Sequence, residues 1–491
     1  MGYRKIRKLK KDQPDQTGDV RTLNSRVSYQ TTLEEFKDSA DLFYNTIPHL
    51  NLHFILLKNI ANEKKIQMYL VDPFENADGG QVQDILSEKM YMKSNDPDTV
   101  YNAILSGQAA IFFRDQAHIV DVFGPETRAV NESGTESVIS GPHEAFNESA
   151  GKSISLIRRR IKSTRLKVVK LKAGEVTKTD IYLLYIEGLV NTDMLSMLKK
   201  RITSIEIDGV FDTNMLVQMI DDNPFSLFPQ FLTTERPDAA SSKLIEGKII
   251  GITDGSPYAF IAPTSIFEFF NSPDDYYQRW AVATALRVLR YSALFITIFL
   301  TAFYVALTTF HYEMIPTRLL ITLMESRSKV PFPPIYEAML LEFTIELLRE
   351  AGARLPTKIG QTIGIVGGIV IGQAAVQAGF TSNILIISVA LSAVASFVVP
   401  SYIMSSSIRI IRFLLIFMAG IWGNYGIMVG LSMILIHLSG VKSLSTSYLT
   451  PLAPFFGRDL RDIVFRAPFS LLKTRPAQER TPNSVRTKRK I

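Results

Sequence analysis

Residues 359–379 read IGQTIGIVGGIVIGQAAVQAG, a run without charge in which Gly360, Gly364, Gly368 and Gly372 fall four apart. On a helix this spacing gathers the four glycines on one slowly drifting face. Small residues so placed let two backbones approach closely, which is how helices associate in lipid. The remaining surface carries Ile359, Ile363, Val366, Val370, Gln373 and Gln377, passing from apolar to polar. Such a helix suits the wall of a water-filled path. It equally suits a buried packing helix in any polytopic protein.

Other apolar runs surround it. YSALFITIFLTAFYVALTTF (291–310) has about the 20 residues that a span requires. Arg279, Arg287 and Arg290 precede it, so the positive-inside bias assigns the first 290 residues to the cytoplasm. Residues 382–399 predict a further span. The run 408–438 would make a helix of about 46 Å, too long for one upright crossing. GNYG (423–426) interrupts it, which leaves one tilted span or two half-spans open. The last 35 residues hold ten Lys/Arg against three Asp/Glu, which marks a cytoplasmic tail and requires an even number of crossings.

Between the first two runs lies PFPPIYEAMLLEFTIELLREAGARLP (331–356), a helix with a stripe of Glu342, Glu346 and Glu350. At the bilayer surface the stripe would face water. In a crossing helix the carboxylates must face a water-filled path, and their cost in lipid favours the surface placement.

The front of the chain is polar. The 21% of charged residues is therefore an average over two unlike halves. Residues 1–30 read as a disordered basic arm, a solvated tail for which anionic lipid is a better contact than nucleic acid. An α/β region follows, with strand-like runs at 53–60, 66–72, 109–113 and 118–123, then at 166–172, 181–188, 248–253 and 258–263. Helical patterns near 81–92, 97–106, 150–163 and 192–204 alternate with them. Two small subdomains are expected, 31–165 and 166–285, ahead of a membrane domain at 286–440 and a basic tail at 441–491. Three Pro-anchored segments lie within 223–280: NPFSLFPQFLTTERPD, DGSPYAFIAP and SPDDYYQRW. Their acidic and aromatic residues predict packed connectors that couple a soluble domain to the spans.

Catalysis is not indicated. The chain has no Cys, which excludes thiolate chemistry and Cys-bound metals, and its six His form no ligand spacing. AGKS (150–153) ends like a phosphate-binding loop, but the first glycine of that loop is missing, so it reads as the first turn of a basic helix. No cofactor and no metal is expected.

Four stretches together carry a resemblance: NPFSLFPQ with TERPD (223–238), SPDDYYQRW (272–280), VPFPPIYEAMLLEFTIELLREAGARLP (330–356) and GQTIGIVGGIVIGQAAV (360–376). They resemble the A subunits of spore germinant receptors, the GerA family, over roughly residues 35–440. The resemblance implies a cytoplasmic α/β region of two subdomains, then an all-α multispan domain in the spore inner membrane. It implies a transporter-like B subunit and a lipoprotein C subunit as partners. It also implies a ring-shaped homo-oligomer, a pentamer, that conducts monovalent cations when nutrient is sensed. On that footing the helix 359–379 is the candidate pore wall. Ile363 would line it, Val366 and Val370 would form its apolar constriction, and Gln373 and Gln377 its polar rings. Glu342 and Glu346 would favour cations, and Gly360, Gly364, Gly368 and Gly372 would pack against neighbouring helices. Two other readings remain: an A-type channel that amplifies ion release without sensing nutrient, and a membrane scaffold that does not conduct.

Overall fold

The computed structural model describes residues 27–75, 77–124, 133, 134, 136, 138–355 and 372–487. The chain divides into two compact units near residue 125, with residues 38–40 belonging to the second.

In the first unit, five antiparallel strands form one sheet: β1 (Leu42–Ile47), β2 (Leu52–Leu57), β3 (Met92–Ser94), β4 (Gln108–Phe113) and β5 (Gln116–Asp121), in the order β1-β2-β4-β5-β3. Alternation along β2 decides the two faces. Leu52, Phe54 and Leu56 enter a core with Leu70, Phe74 and Val82, while Ile55 and Leu57 enter another with Val100 and Ile104. That second core also takes the helices α1 (Tyr29–Glu35) and α2 (Pro97–Leu105). Residues 66–72, expected as a strand, are helical, within a continuous run from Glu63 to Glu75. The Asn62 side chain accepts from the Lys64 and Lys65 N–H groups and starts the turn. Leu70 and Phe74, four apart, then bury one helical face.

A second five-stranded sheet holds β6 (Leu166–Ala173), β7 (Thr179–Ile186), β8 (Leu232–Thr234), β9 (Ile249–Thr253) and β10 (Ala259–Ala262). Its order, β6-β7-β9-β10-β8, repeats the order of the first sheet when each is counted from its own first strand. Four helices cover it: α3 (Ala150–Arg160), α4 (Thr192–Thr203), α5 (Thr213–Ile220) and α6 (Pro237–Glu246). Ile181 and Leu183 pack with Leu198 of α4 and Leu216 of α5 on one face, and Leu184 and Ile186 with Ile154 of α3 and Leu244 of α6 on the other. Helix α3 thus belongs to this second sheet, and the boundary lies ahead of it rather than at 165. The AGKS turn opens α3 as expected, and Ala150 N–H donates to Asp254 Oδ1 at 3.0 Å.

The described residues from 280 to 440 are mainly helical: α7 (Trp280–Thr309), α8 (Thr317–Arg327), α9 (Pro334–Arg354), α10 (Asn383–Ser396) and α11 (Tyr402–Gly440). Helices α7 and α11 are long and apolar enough to cross a membrane, by length and composition, and α10 is apolar but shorter. Helix α11 is broken at Gly423, where φ is 61° and ψ is −140°. Beyond the break the chain doubles back. A Cβ on Gly426 would meet the Met418 carbonyl, and one on Gly430 would meet Leu415 Cδ2 at 2.5 Å. At the open end, Ser407 donates to the Leu227 carbonyl and His437 Nε2 lies 2.9 Å from Ser226 Oγ. Helix α11, and with it the run 408–438, is therefore two antiparallel arms, 402–422 and 424–440, of about 31 and 26 Å at 1.5 Å per residue.

Helix α9 lies lengthwise against this bundle by one face, with Glu337, Ala338 and Glu342 buried, where the cost argument favoured the bilayer surface. It runs antiparallel to the first arm of α11. Ile335 is level with Gly420, Glu342 with Arg412 and Glu346 with Arg409. The arginines compensate the carboxylates that made the interior placement expensive. The C-terminal segment departs from a plain tail. It folds back on the second sheet, with Thr264 N–H donating to Ser443 Oγ, Ile266 N–H donating to the Tyr448 carbonyl, and Lys248 paired with Glu479 at 3.3 Å.

Candidate functional site

Two clusters of buried charge join the elements of the second unit. The first grows from the Pro-anchored connectors. Pro237 opens α6, and Arg236 precedes it as the N-cap. Its buried guanidinium donates to both oxygens of Asp238, at 3.1 and 2.8 Å, and to Asp274 at 2.8 Å. The next residue, Asp275, turns the other way. It accepts from Arg287 Nε at 2.9 Å and from two Arg290 nitrogens at 2.8 and 2.9 Å, both residues on α7. Tyr276 donates to Asp462 at 2.9 Å, and Tyr277 donates to Asp238 at 2.8 Å. Four consecutive side chains therefore tie α6, α7 and the C-terminal segment to one turn.

The electrostatics follow from burial set against pairing. Burial alone would raise Asp238, but hydrogen bonds from Arg236 and Tyr277 bring it below the usual carboxylate range. Burial, then the hydrogen bond to Asp238, pushes Tyr277 up to about 12. Beside this turn, Lys248 is wholly buried between Glu268 at 2.6 Å and Glu479 at 3.3 Å, while Lys243 reaches Glu268 at 3.0 Å. Glu268 would rise on burial, yet Lys243 and Lys248 outweigh that and bring it down to about 2. Burial pushes Glu479 up to about 7; Lys248 offsets this only in part, and the neighbouring Glu268 and Glu246 add to it.

The second cluster lies among the helices. Glu342 is fully buried, accepts from Thr301 Oγ1 of α7 at 2.9 Å and pairs with Arg412 at 2.7 Å. Arg412 also reaches Glu346 at 3.2 Å and donates to Ser392 of α10 at 3.1 Å. Arg409 pairs with Glu346 at 3.1 Å. One level nearer the start of α9, Glu337 pairs with Arg327 at 3.2 Å and accepts from Ser382 N–H at 3.2 Å. Four helices, α7, α9, α10 and α11, thus meet on the Glu342 group. Sequence reasoning missed Arg409 and Arg412 because they sit at the edge of an apolar run. Their signal was available, since a charge inside such a run needs a partner.

Of the residues expected at the pore, Gln373 and Gln377 lie on the helical stretch 372–377, and both are exposed. With Gly372 they border a cleft of about 2640 Å³, together with Leu348 and Arg349 of α9 and Ala390 and Val394 of α10. A Cβ on Gly372 would find Ile386 Cγ2 at 3.9 Å, an ordinary contact, so among the described residues no close backbone approach requires glycine there. Ile363, Val366, Val370, Gly360, Gly364 and Gly368 lie outside the described residues. Glu342 and Glu346 stand apart from the cleft wall and are held by arginine.

Comparison with known proteins identifies relatives of this chain. The family model for the Bacillus/Clostridium GerA spore germination protein matches residues 30–478. "Spore germination protein KA" of Bacillus subtilis (strain 168) is 38% identical over 475 residues, 94% of this chain and 86% of that protein. "Spore germination protein GerQA" of Bacillus cereus is 41% identical over 476 residues, 94% of each. The crystal structure of the N-terminal domain of the A subunit of the Bacillus megaterium spore germinant receptor GerK3 aligns with 48% of this chain and 92% of that one, at 24% identity and a TM-score of 0.36. With a family model matching nearly its whole length and relatives this similar, the chain belongs to the GerA family of spore germination proteins.

Proposed function

We propose that this chain is the A-type subunit of a spore germination receptor and forms a gated cation channel in the spore inner membrane. Family membership supports the germination role, and the apolar lengths of α7 and α11 support the membrane. In this reading the α/β units and the C-terminal segment face the cytoplasm. Five copies form a ring, beside a transporter-like subunit that takes the nutrient and a lipoprotein subunit. Ile363, Val366 and Val370 make an apolar constriction that closes by dewetting. Gln373 and Gln377 form polar rings on its open side. Glu346 is released from Arg409 as the path opens, so that a carboxylate meets the passing cation; Glu342 stays with Arg412.

The observation that carries the channel reading is the exposure of Gln373 and Gln377 on a wide cleft at the end of an uncharged, glycine-rich stretch. It is tested by monovalent cation flux in liposomes bearing the oligomer and its partner subunits. Val366→Ala is expected to leak and Val366→Phe to block. Equal flux from wild type and both variants, with oligomers intact, contradicts the gate. An absence of flux from all three would instead make the chain a scaffold.

A further inference from the structure

The segment from Leu452 to Arg475 has an unusual division of its side chains. Leu452, Phe455, Phe465, Phe469 and Leu471 are each more than half exposed. Its two acids turn inward. Asp462 accepts from Tyr276 and pairs with Arg287, and Asp459 accepts from Ala477 N–H at 2.7 Å. Three of its cations, Arg458, Arg461 and Lys473, turn outward. The exposed surface is thus apolar, aromatic and net basic, although the segment is folded and held at several points. Exposed large side chains concentrated in this way mark an interaction surface.

Its height along the bundle is fixed by α7. Tyr291 OH, on the first residue of the apolar run, donates to the Ile463 carbonyl at 3.3 Å. Arg466 N–H donates to Thr284 Oγ1 at 3.2 Å, two turns earlier. The segment also follows soon after the end of α11 at Gly440. It therefore lies at the level where polar α7 becomes apolar, one turn from the exposed Trp280. Aromatic side chains with basic neighbours at that level belong to the headgroup region of a bilayer, and the outward cations select anionic lipid.

We propose that residues 452–475 form an interfacial belt that docks on the anionic phospholipid leaflet where α7 enters it. The belt would fix the height of the Asp275–Arg287 turn against the membrane, so that a movement of the sheet is delivered to the helices and not to a floating junction. The inference rests on the reading that α7 and α11 cross a bilayer.

The chain has no Cys, so single labelling sites are simple to introduce. Phe455→Cys and Phe469→Cys, labelled with an environment-sensitive fluorophore, are reconstituted in full-length protein in vesicles of phosphatidylglycerol and phosphatidylcholine. Phe303→Cys, on the lipid-length part of α7, is the control for crossing. Quenching of both belt positions by headgroup nitroxide lipid, with protection from aqueous iodide, supports the belt. Loss of that quenching in vesicles of phosphatidylcholine alone, or on Arg458→Gln/Arg461→Gln/Lys473→Gln, supports its anionic preference. Iodide quenching without lipid quenching overturns the belt. Protection from both quenchers overturns it too, and shows that another subunit covers the surface. If Phe303→Cys is not quenched by lipid, the crossing reading itself fails, and the belt fails with it.

Discussion

Arg412 is fully buried and divides one guanidinium between two carboxylates, Glu342 and Glu346. Removing it strands Glu342 in an apolar bundle where, among the described residues, the Thr301 hydroxyl is its remaining hydrogen-bond partner. A carboxylate left so costs about 3–5 kcal/mol, whereas removing both partners of a buried pair is often nearly neutral. Arg412→Leu is therefore expected to lower the thermal midpoint sharply in detergent, and Arg412→Leu/Glu342→Leu to recover most of it. Additive losses in the double variant would contradict the pairing. A pH test belongs to Glu479. Its folded value of about 7 stands above the ordinary 4.5, so between those values the folded chain keeps a proton that the unfolded chain has lost. Its contribution to stability then falls as pH rises through that window. Glu268, near 2, has the opposite sign, and its contribution is lost only as pH drops below 4.5. Glu479→Gln should therefore raise the thermal midpoint above wild type at pH 8, with the gap closing by pH 5. A gap of equal size at both values would show that the substitution acts by packing and not by charge.

Among the elements, the hairpin of α11 makes the sharpest demand on its residues. Gly423 takes a left-handed φ of 61°, and Gly426 lies against backbone, which cannot rotate away. Gly430 faces only the far end of Leu415, a flexible side chain. Gly426→Ala should reduce folded yield and thermal midpoint well beyond Gly430→Ala. The reverse order, read by detergent-phase unfolding, would contradict the close antiparallel arms. The sequence carried part of this element: GNYG marked an interruption, and apolar length marked the arms, but neither distinguished a tilt from a reversal. Strands were legible where alternation ran for five or more residues, as in β2, β6 and β7. The three-residue edge strands Met92–Ser94 and Leu232–Thr234 are too short to show a period. The strand β1 exposes Phe43 and Tyr44 at the sheet edge, so its apolar residues did not sort into faces. Residues 66–72 mimicked a strand because apolar residues alternate over a stretch too short to show that Leu70 and Phe74 share a helical face.

Across the whole molecule, the features hardest to read were those that join residues far apart in sequence. Lys248 with Glu479, Asp275 with Arg287, and Glu342 with Arg412 are ordinary charged residues until the fold brings them together. The Pro-anchored connectors gave the one long-range hint. Their acidic and aromatic residues suggested a packed coupling, and Asp274 to Tyr277 bridge α6, α7 and the C-terminal segment. We propose that this turn lies upstream of a gate at Val366 in one mechanical path. Asp275→Asn removes the charge that holds Arg287 and Arg290, and alone should abolish nutrient-triggered ion release while the protein remains at normal levels. The most direct test is ion release from spores carrying Val366→Ala together with Asp275→Asn. A constitutive leak is expected, because an opened gate no longer needs the junction. Silent spores with both substitutions, wild-type levels of the protein and a leaking Val366→Ala parent would contradict that order.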